Sequence, residues 1–118
     1  MELKLVLLTA HARRDVALSV LDLTPYEVGN ALRLGQAKAT RAQVVTVLDA
    51  LREIADGLRP TAAEQRHAAV LAERYDLTYY DAAYAAVAES RSATLVTLDG
   101  ALLSTGLGVK PSELVARL

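Results

Sequence analysis

The spacing of apolar positions along this chain predicts two kinds of element. Short apolar runs predict strands, and apolar positions that recur with the period of a helix predict helices. Residues 17–23 and 94–98 are short, largely apolar runs bounded by turn residues, and each predicts a buried strand. Helical periodicity predicts helices that start near Thr24, Thr40, Thr61 and Thr78, with shorter helical turns at 101–103 and 112–118 and a last strand at 107–109. Gly35 and Gly57 are the expected stops of the first two helices. Helices that alternate with apolar strands predict an α/β fold with a parallel sheet flanked by helices.

A short sequence occurs twice, as DLTPYE at 22–27 and as DLTYYD at 76–81. In each copy a threonine precedes an acid by three positions, which is the spacing of a helix capping box. The same spacing recurs at Thr40 with Gln43 and at Thr61 with Glu64. The residues around the two copies differ, so the echo does not indicate a duplicated fold.

Three acids stand where such a fold places ligands. Glu27 and Asp99 both follow predicted strands, and ligands on parallel sheets gather outside the carboxyl ends of the strands. Asp81 follows a helix and a tight link. Two interpretations are open: the acids only cap helices, or they converge and hold a hard cation such as Mg²⁺, which prefers oxygen ligands.

Composition narrows the classes of protein to consider. The 118 residues predict one domain, spanning 1–118, and the absence of cysteine excludes disulfides and thiolate metal sites, which fits a cytoplasmic location. No apolar stretch approaches the ~18 residues of a membrane span. A net charge of −1 excludes a strongly basic nucleic-acid footprint, so any RNA contact must use local patches.

Such patches have two candidate components. Arg33, Lys38 and Arg41 lie close in sequence to the helix that bears Glu27, and they could bind RNA phosphates or simply face solvent. The tyrosines at 75, 79 and 80 could stack on bases or pack at helix ends.

The ordered set of motifs resembles the PIN-domain family, most closely its compact VapC-type toxins. The resemblance is carried by YEVGNAL at 26–32, YDAAYAAVA at 80–88 and LVTLD at 95–99. It implies a three-layer α/β/α sandwich with a central, mainly parallel sheet. It also implies an endoribonuclease dependent on Mg²⁺ or Mn²⁺, an RNA substrate, a cognate antitoxin, and a homodimer or higher oligomer.

The resemblance assigns roles residue by residue. Glu27, Asp81 and Asp99 match the family's second, third and fourth acidic positions, as catalytic residues and metal ligands. Thr97 matches the polar residue near the last acid and is assigned to the catalytic residues with the three acids, and Asn30 matches the asparagine of the first motif's helix.

The family's first motif, a strand that ends in an aspartate, has no counterpart before Glu27. Residues 3–8 could form a strand, but it would end in Leu8-Thr9-Ala10 with no aspartate, and Asp15 precedes the predicted strand at 17–23 instead of following one. Three explanations are open: a chain that is short at its N-terminus, a degenerate member with impaired activity, or a site completed by a partner.

Two other functions compete with the nuclease. A non-catalytic PIN-like module for assembly or antitoxin binding would keep the fold without the chemistry. A receiver-like acidic pocket also uses acids at strand ends, with Lys110 as its late basic residue, but the expected pair of acids after the first strand is missing.

Overall fold

The computed structural model describes residues 17–36 and 38–117, which fall into two compact units. The N-terminal unit contains residues 17–36 and 38–59, and the C-terminal unit contains residues 60–117. The single domain predicted for residues 1–118 stays a prediction. The apolar segment at 3–8 and Asp15 lie outside the described residues.

The N-terminal unit is a parallel strand pair connected by two helices. Its elements are β1 (Ser19–Leu21), α1 (Thr24–Leu34), α2 (Arg41–Ile54) and β2 (Asp56–Leu58). β1 and β2 pair in parallel, with Ser19 opposite Asp56 and Leu21 opposite Leu58. Leu21 is only 2% exposed, so the end of β1 lies in the core. The strand predicted at 17–23 is therefore present but shorter, and the parallel pairing is as predicted.

The start of α1 differs from the capping box predicted at Thr24. Leu23 already has helical backbone angles and precedes the helix without a side-chain cap, so Thr24 is the first helical residue. Leu23 is also the acceptor for the amides of Tyr26 and Glu27, at 3.1 and 3.2 Å. The prediction of Thr24 as the cap is wrong, because the chain turns into the helix one residue earlier than the threonine pattern indicates. α1 ends at Gly35 as predicted.

The second helix begins as its sequence predicts but ends earlier. The Thr40 hydroxyl accepts from the Gln43 amide, and the Gln43 side chain accepts from the Thr40 amide, which completes a capping box. α2 stops at Ile54, and Ala55 takes extended angles. Gly57, predicted as the helix stop, lies instead inside β2.

The C-terminal unit is built from four helices, α3 (Ala62–Tyr75), α4 (Tyr79–Ser90), α5 (Gly100–Ser104) and α6 (Pro111–Ala116). α3 and α4 pack against each other. Their buried apolar residues are mostly small, namely Ala68, Leu71, Ala82, Ala83, Ala85, Ala86 and Val87. Alanines allow two helices to approach closely, which explains how a chain without Phe or Trp fills this core.

A charge pair with a buried carboxylate joins the start of α3 to the end of α4. Glu64 completes the predicted capping box with Thr61 and is only 4% exposed. Its carboxylate accepts two hydrogen bonds from Arg91, the residue that follows α4. The guanidinium of Arg91 and the amide of Thr61 lower the pKa of Glu64 to about 2.

The strand predicted at 94–98 is reduced to one bridge. Val96 pairs in parallel with Val109, and the amides of Thr97 and Val109 donate to Val109 and Leu95, at 2.9 and 2.8 Å. The ladder stops there because the Asp99 amide donates to the Thr97 hydroxyl at 2.9 Å, which turns the chain toward α5. Among the described residues no helix is long and apolar enough to cross a membrane.

Candidate functional site

Glu27 lies in the first turn of α1, directly after the β1 strand and its short connection. The residue is exposed, and its amide is bonded to Leu23, so the backbone at this point is fixed. A carboxylate near a helix N-terminus interacts favourably with the partial positive charge of the unpaired amides there. The structure thus places Glu27 at the carboxyl end of the parallel strand pair, as predicted.

Asp81 occupies the first turn of α4, where the Thr78 hydroxyl accepts from its amide at 3.2 Å. The predicted cap at Thr78 is confirmed. Asp81 is half-buried, and the two residues after it are buried alanines of the helix core. Its own carboxylate makes no hydrogen bond or ion pair with the residues that the structure describes. This leaves carboxylate oxygens at a fixed position available to a ligand.

Asp99 is the N-cap of α5, as the helix-cap interpretation of the three acids allowed. Its Oδ1 accepts from the Leu102 amide at 3.0 Å, while its own amide donates to the Thr97 hydroxyl. The structure thus brings Asp99 and Thr97 together, as the motif at 95–99 predicts. The Thr97 contact fixes the backbone of Asp99, and Oδ2 takes no part in the cap bond.

The three acids are divided between the two units. Glu27 belongs to the N-terminal unit, and Asp81 and Asp99 belong to the C-terminal unit. Within either unit, the described residues contain no group of three His, Cys, Asp or Glu that could hold a metal ion. The donor chemistry nevertheless fits a hard cation, because all three are carboxylates and two have oxygens outside any cap bond. Convergence of the three stays a prediction.

Among the residues predicted to contact RNA, some are held in packing contacts, and others are exposed or line a cleft. The Tyr79 hydroxyl donates to the Gln65 carbonyl at 3.1 Å, which gives this tyrosine a packing role. Tyr80 is 62% exposed and remains available. Arg33 and Arg41 line one cleft of the N-terminal unit.

Tyr26 and Asn30 line the same cleft as the two arginines. Sequence reasoning did not single out Tyr26. Its helical spacing to Asn30 and Arg33, four and seven positions on, was the signal that could have found it.

Comparison with known proteins identifies the family. The PIN domain model matches residues 6–106, a range that includes all three acids and Thr97. A curated protein named Exonuclease VapC9, from Pyrobaculum aerophilum, is 42% identical over 108 residues, which cover 86% of this chain and 77% of the relative. The crystal structure of PAE2754, also from Pyrobaculum aerophilum, has a TM-score of 0.68 at 33% identity and covers 85% of this chain and 75% of that one. The predicted α/β PIN fold is confirmed by this likeness. The chain belongs to the PIN-domain family, and within it to the VapC type.

Proposed function

We propose that this protein is the nuclease toxin of a toxin–antitoxin pair, an endoribonuclease that depends on Mg²⁺ or Mn²⁺. The observation that carries the proposal is the family match over residues 6–106, a range that includes Glu27, Asp81, Asp99 and Thr97. The available carboxylate oxygens of Asp81 and Asp99 support it. A bound divalent cation would supply charge stabilisation and water activation at the scissile phosphodiester.

The residues of this chain contribute position and charge to that reaction. Glu27, Asp81 and Asp99 would bind the cation, and the helix starts that carry them fix the backbone from which each side chain extends. Thr97 is a positioning residue, since its hydroxyl holds the backbone of Asp99. Three carboxylates hold a cation less tightly than the four of the family's pattern, so a site formed by Glu27, Asp81 and Asp99 alone would be impaired relative to one with the complete set.

The decisive experiment is RNA cleavage with and without Mg²⁺, in wild-type protein and in Asp81→Asn. We expect cleavage that requires the metal and is lost in Asp81→Asn. Asp76→Asn is the matched control, because it removes one carboxylate from the same unit at a residue whose left-handed backbone asparagine also adopts. Metal-dependent cleavage that survives Asp81→Asn would contradict the assignment. A wild-type protein that binds antitoxin but never cleaves would favour the non-catalytic module.

The curated relative is named an exonuclease, and this name favours a second mode, cleavage from an RNA end. A circular single-stranded RNA separates the two modes, because only an endonuclease can open it. We expect the circle to be opened. Degradation of linear RNA from an end, with the circle left intact, would assign the exonuclease mode.

The remaining partners follow from the same proposal. We propose a cognate antitoxin as inhibitor, a homodimer or higher oligomer as the assembly, and the cytoplasm as the location. Light scattering at micromolar concentration tests the assembly, and a purely monomeric mass would contradict it. Cleavage that a co-expressed antitoxin does not suppress would contradict the inhibitor.

A further inference from the structure

A cleft between α1 and α2 has the chemistry of a nucleotide-binding groove. It has a volume of about 780 Å³ and lies wholly within the N-terminal unit. Clefts of this size are typical of sites that enclose small ligands or parts of larger ones. Its lining includes Val44, Val45 and Leu48 from α2. These side chains are apolar and suit the faces of bases and ribose rings.

One face of α1 supplies the polar side of the cleft. Tyr26, Asn30 and Arg33 recur at helical spacing, and Gly29 lies between them with no side chain. Tyr26 is 80% exposed, which is unusual for an aromatic residue that has only a packing role. An exposed ring is a stacking platform, and the Asn30 amide offers both a donor and an acceptor to a base edge.

The charge of the cleft selects an anionic ligand. Arg33 and Arg41 both line it, and no carboxylate is among its described lining residues. Neither arginine forms an ion pair with a described residue. By contrast, Arg52 in the last turn of α2 does not line the cleft and is paired with Asp49 at 3.0 Å. Two guanidiniums that pair with no carboxylate among the described residues, beside a stacking ring, match a phosphate backbone with unpaired bases.

We propose that this cleft binds a single-stranded segment of the RNA substrate, with a base stacked on Tyr26 and phosphates at Arg33 and Arg41. The proposal rests on the proposed nuclease function for the identity of the ligand. It goes beyond that function because it assigns substrate binding to residues other than the acids. Glu27 follows Tyr26 directly on α1, so RNA held here lies beside the helix start that bears a proposed metal ligand.

The first test is binding of a fluorescein-labelled random 12-nucleotide RNA to the full chain in EDTA, where metal-dependent cleavage cannot occur. We expect Tyr26→Ala to weaken binding about tenfold, and Tyr26→Phe, which keeps the ring, to retain most of the affinity. Arg33→Gln and Arg41→Gln should each reduce the slope of log affinity against log salt by about 0.7. Arg52→Gln is the matched control and should leave that slope unchanged.

The second test locates the RNA by ultraviolet crosslinking and tryptic mass spectrometry. Trypsin releases residues 15–33 as one peptide with Tyr26 as its only aromatic residue, and residues 75–91 as another that holds the remaining four tyrosines. We expect the crosslink on the first peptide. A crosslink confined to the second peptide, no binding by the wild type, or equal loss in Arg52→Gln would overturn the proposal.

Three further outcomes distinguish this proposal from an acidic protein as the occupant and from the proposed nuclease function. An oligoglutamate peptide that displaces the RNA and binds more tightly would overturn it in favour of an acidic protein as occupant. Binding that depends on Tyr26 in a protein without cleavage activity would support the groove and contradict the nuclease. Cleavage in a protein whose binding is unaffected by Tyr26→Ala would contradict the groove alone.

Discussion

Arg91 binds both carboxylate oxygens of Glu64, with Nε donating to Oε2 and Nη2 donating to Oε1, each at 3.0 Å. The same Oε1 also accepts from the Thr61 amide at 2.8 Å. One carboxylate therefore completes the cap of α3 and holds the residue that ends α4. The pKa of Glu64 is lowered to about 2, first by the Arg91 hydrogen bonds and then by the Thr61 amide.

This lowered pKa predicts an acid-dependent loss of stability. The folded state holds the charged form of Glu64 more strongly than the unfolded chain does, so its contribution is complete above the usual carboxyl pKa of 4.5. It is lost as the pH falls from 4.5 through about 2. Denaturation by urea at several pH values should show this decline in wild type and a smaller one in Glu64→Gln, which cannot titrate. Equal pH dependence in both would contradict the prediction.

The position of Gly108 predicts that Gly108→Ala destabilises the fold and that Thr97→Ser restores most of the stability. A Cβ at this buried position would lie 2.7 Å from Cγ2 of Thr97, across the Val96–Val109 bridge. We expect Gly108→Ala to lower the free energy of unfolding by about 1–3 kcal/mol, because the neighbouring segment must move. Thr97→Ser removes that methyl group and keeps the hydroxyl that bonds Asp99, so the double variant should recover most of the loss. Additive losses in the double variant would contradict the contact.

The repeated DLT sequence shows how far local signals determine this fold. At 76–81 it forms the predicted cap, with Thr78 as the residue before α4, but at 22–27 the helix starts at Thr24 itself. The two aspartates also differ, since Asp76 is a left-handed helix end and Asp22 lies in a turn after β1. The same residues have different roles because a helix precedes them at 76–81 and a strand precedes them at 22–27.

Elements set by neighbouring residues were predictable, and those set by distant partners were less so. The capping boxes at Thr40 and Thr61 formed as expected because each is closed within one helical turn. The lengths of the strands at 19–21 and 94–98 depend on residues far along the chain, namely 56–58 and Val109. For the same reason, the sequence pattern did not predict the pairing of Glu64 with Arg91.

Asp76 predicts a stabilising substitution. Its backbone has φ of 53° and closes α3 in the left-handed region, which glycine adopts without a steric cost. Asp76→Gly should therefore raise the free energy of unfolding by about 0.5–1 kcal/mol, and Asp76→Ala should lower it. Thermal unfolding of the two variants against wild type measures both changes. A lower midpoint for the glycine variant would contradict the expectation.

Asp99 allows its cap and its proposed metal role to be separated. Asn at this position keeps an oxygen that can accept from the Leu102 amide. The free energy of unfolding of Asp99→Asn should therefore lie within about 0.5 kcal/mol of the wild-type value. Asp99→Ala should lose about 1 kcal/mol, because the cap is removed.

If Asp99 binds the cation, Asp99→Asn should still weaken Mn²⁺ binding and cleavage at least on the order of tenfold, the effect expected even of groups that only support a ligand. Thr97→Val serves as the comparison: it keeps the carboxylate and removes the hydroxyl that fixes its backbone, so its loss of cleavage should be smaller. Mn²⁺ titration by calorimetry and RNA cleavage, measured on the same preparations as the unfolding curves, give the two readouts independently. An Asp99→Asn protein with wild-type metal affinity and cleavage would leave Asp99 as a helix cap and nothing more.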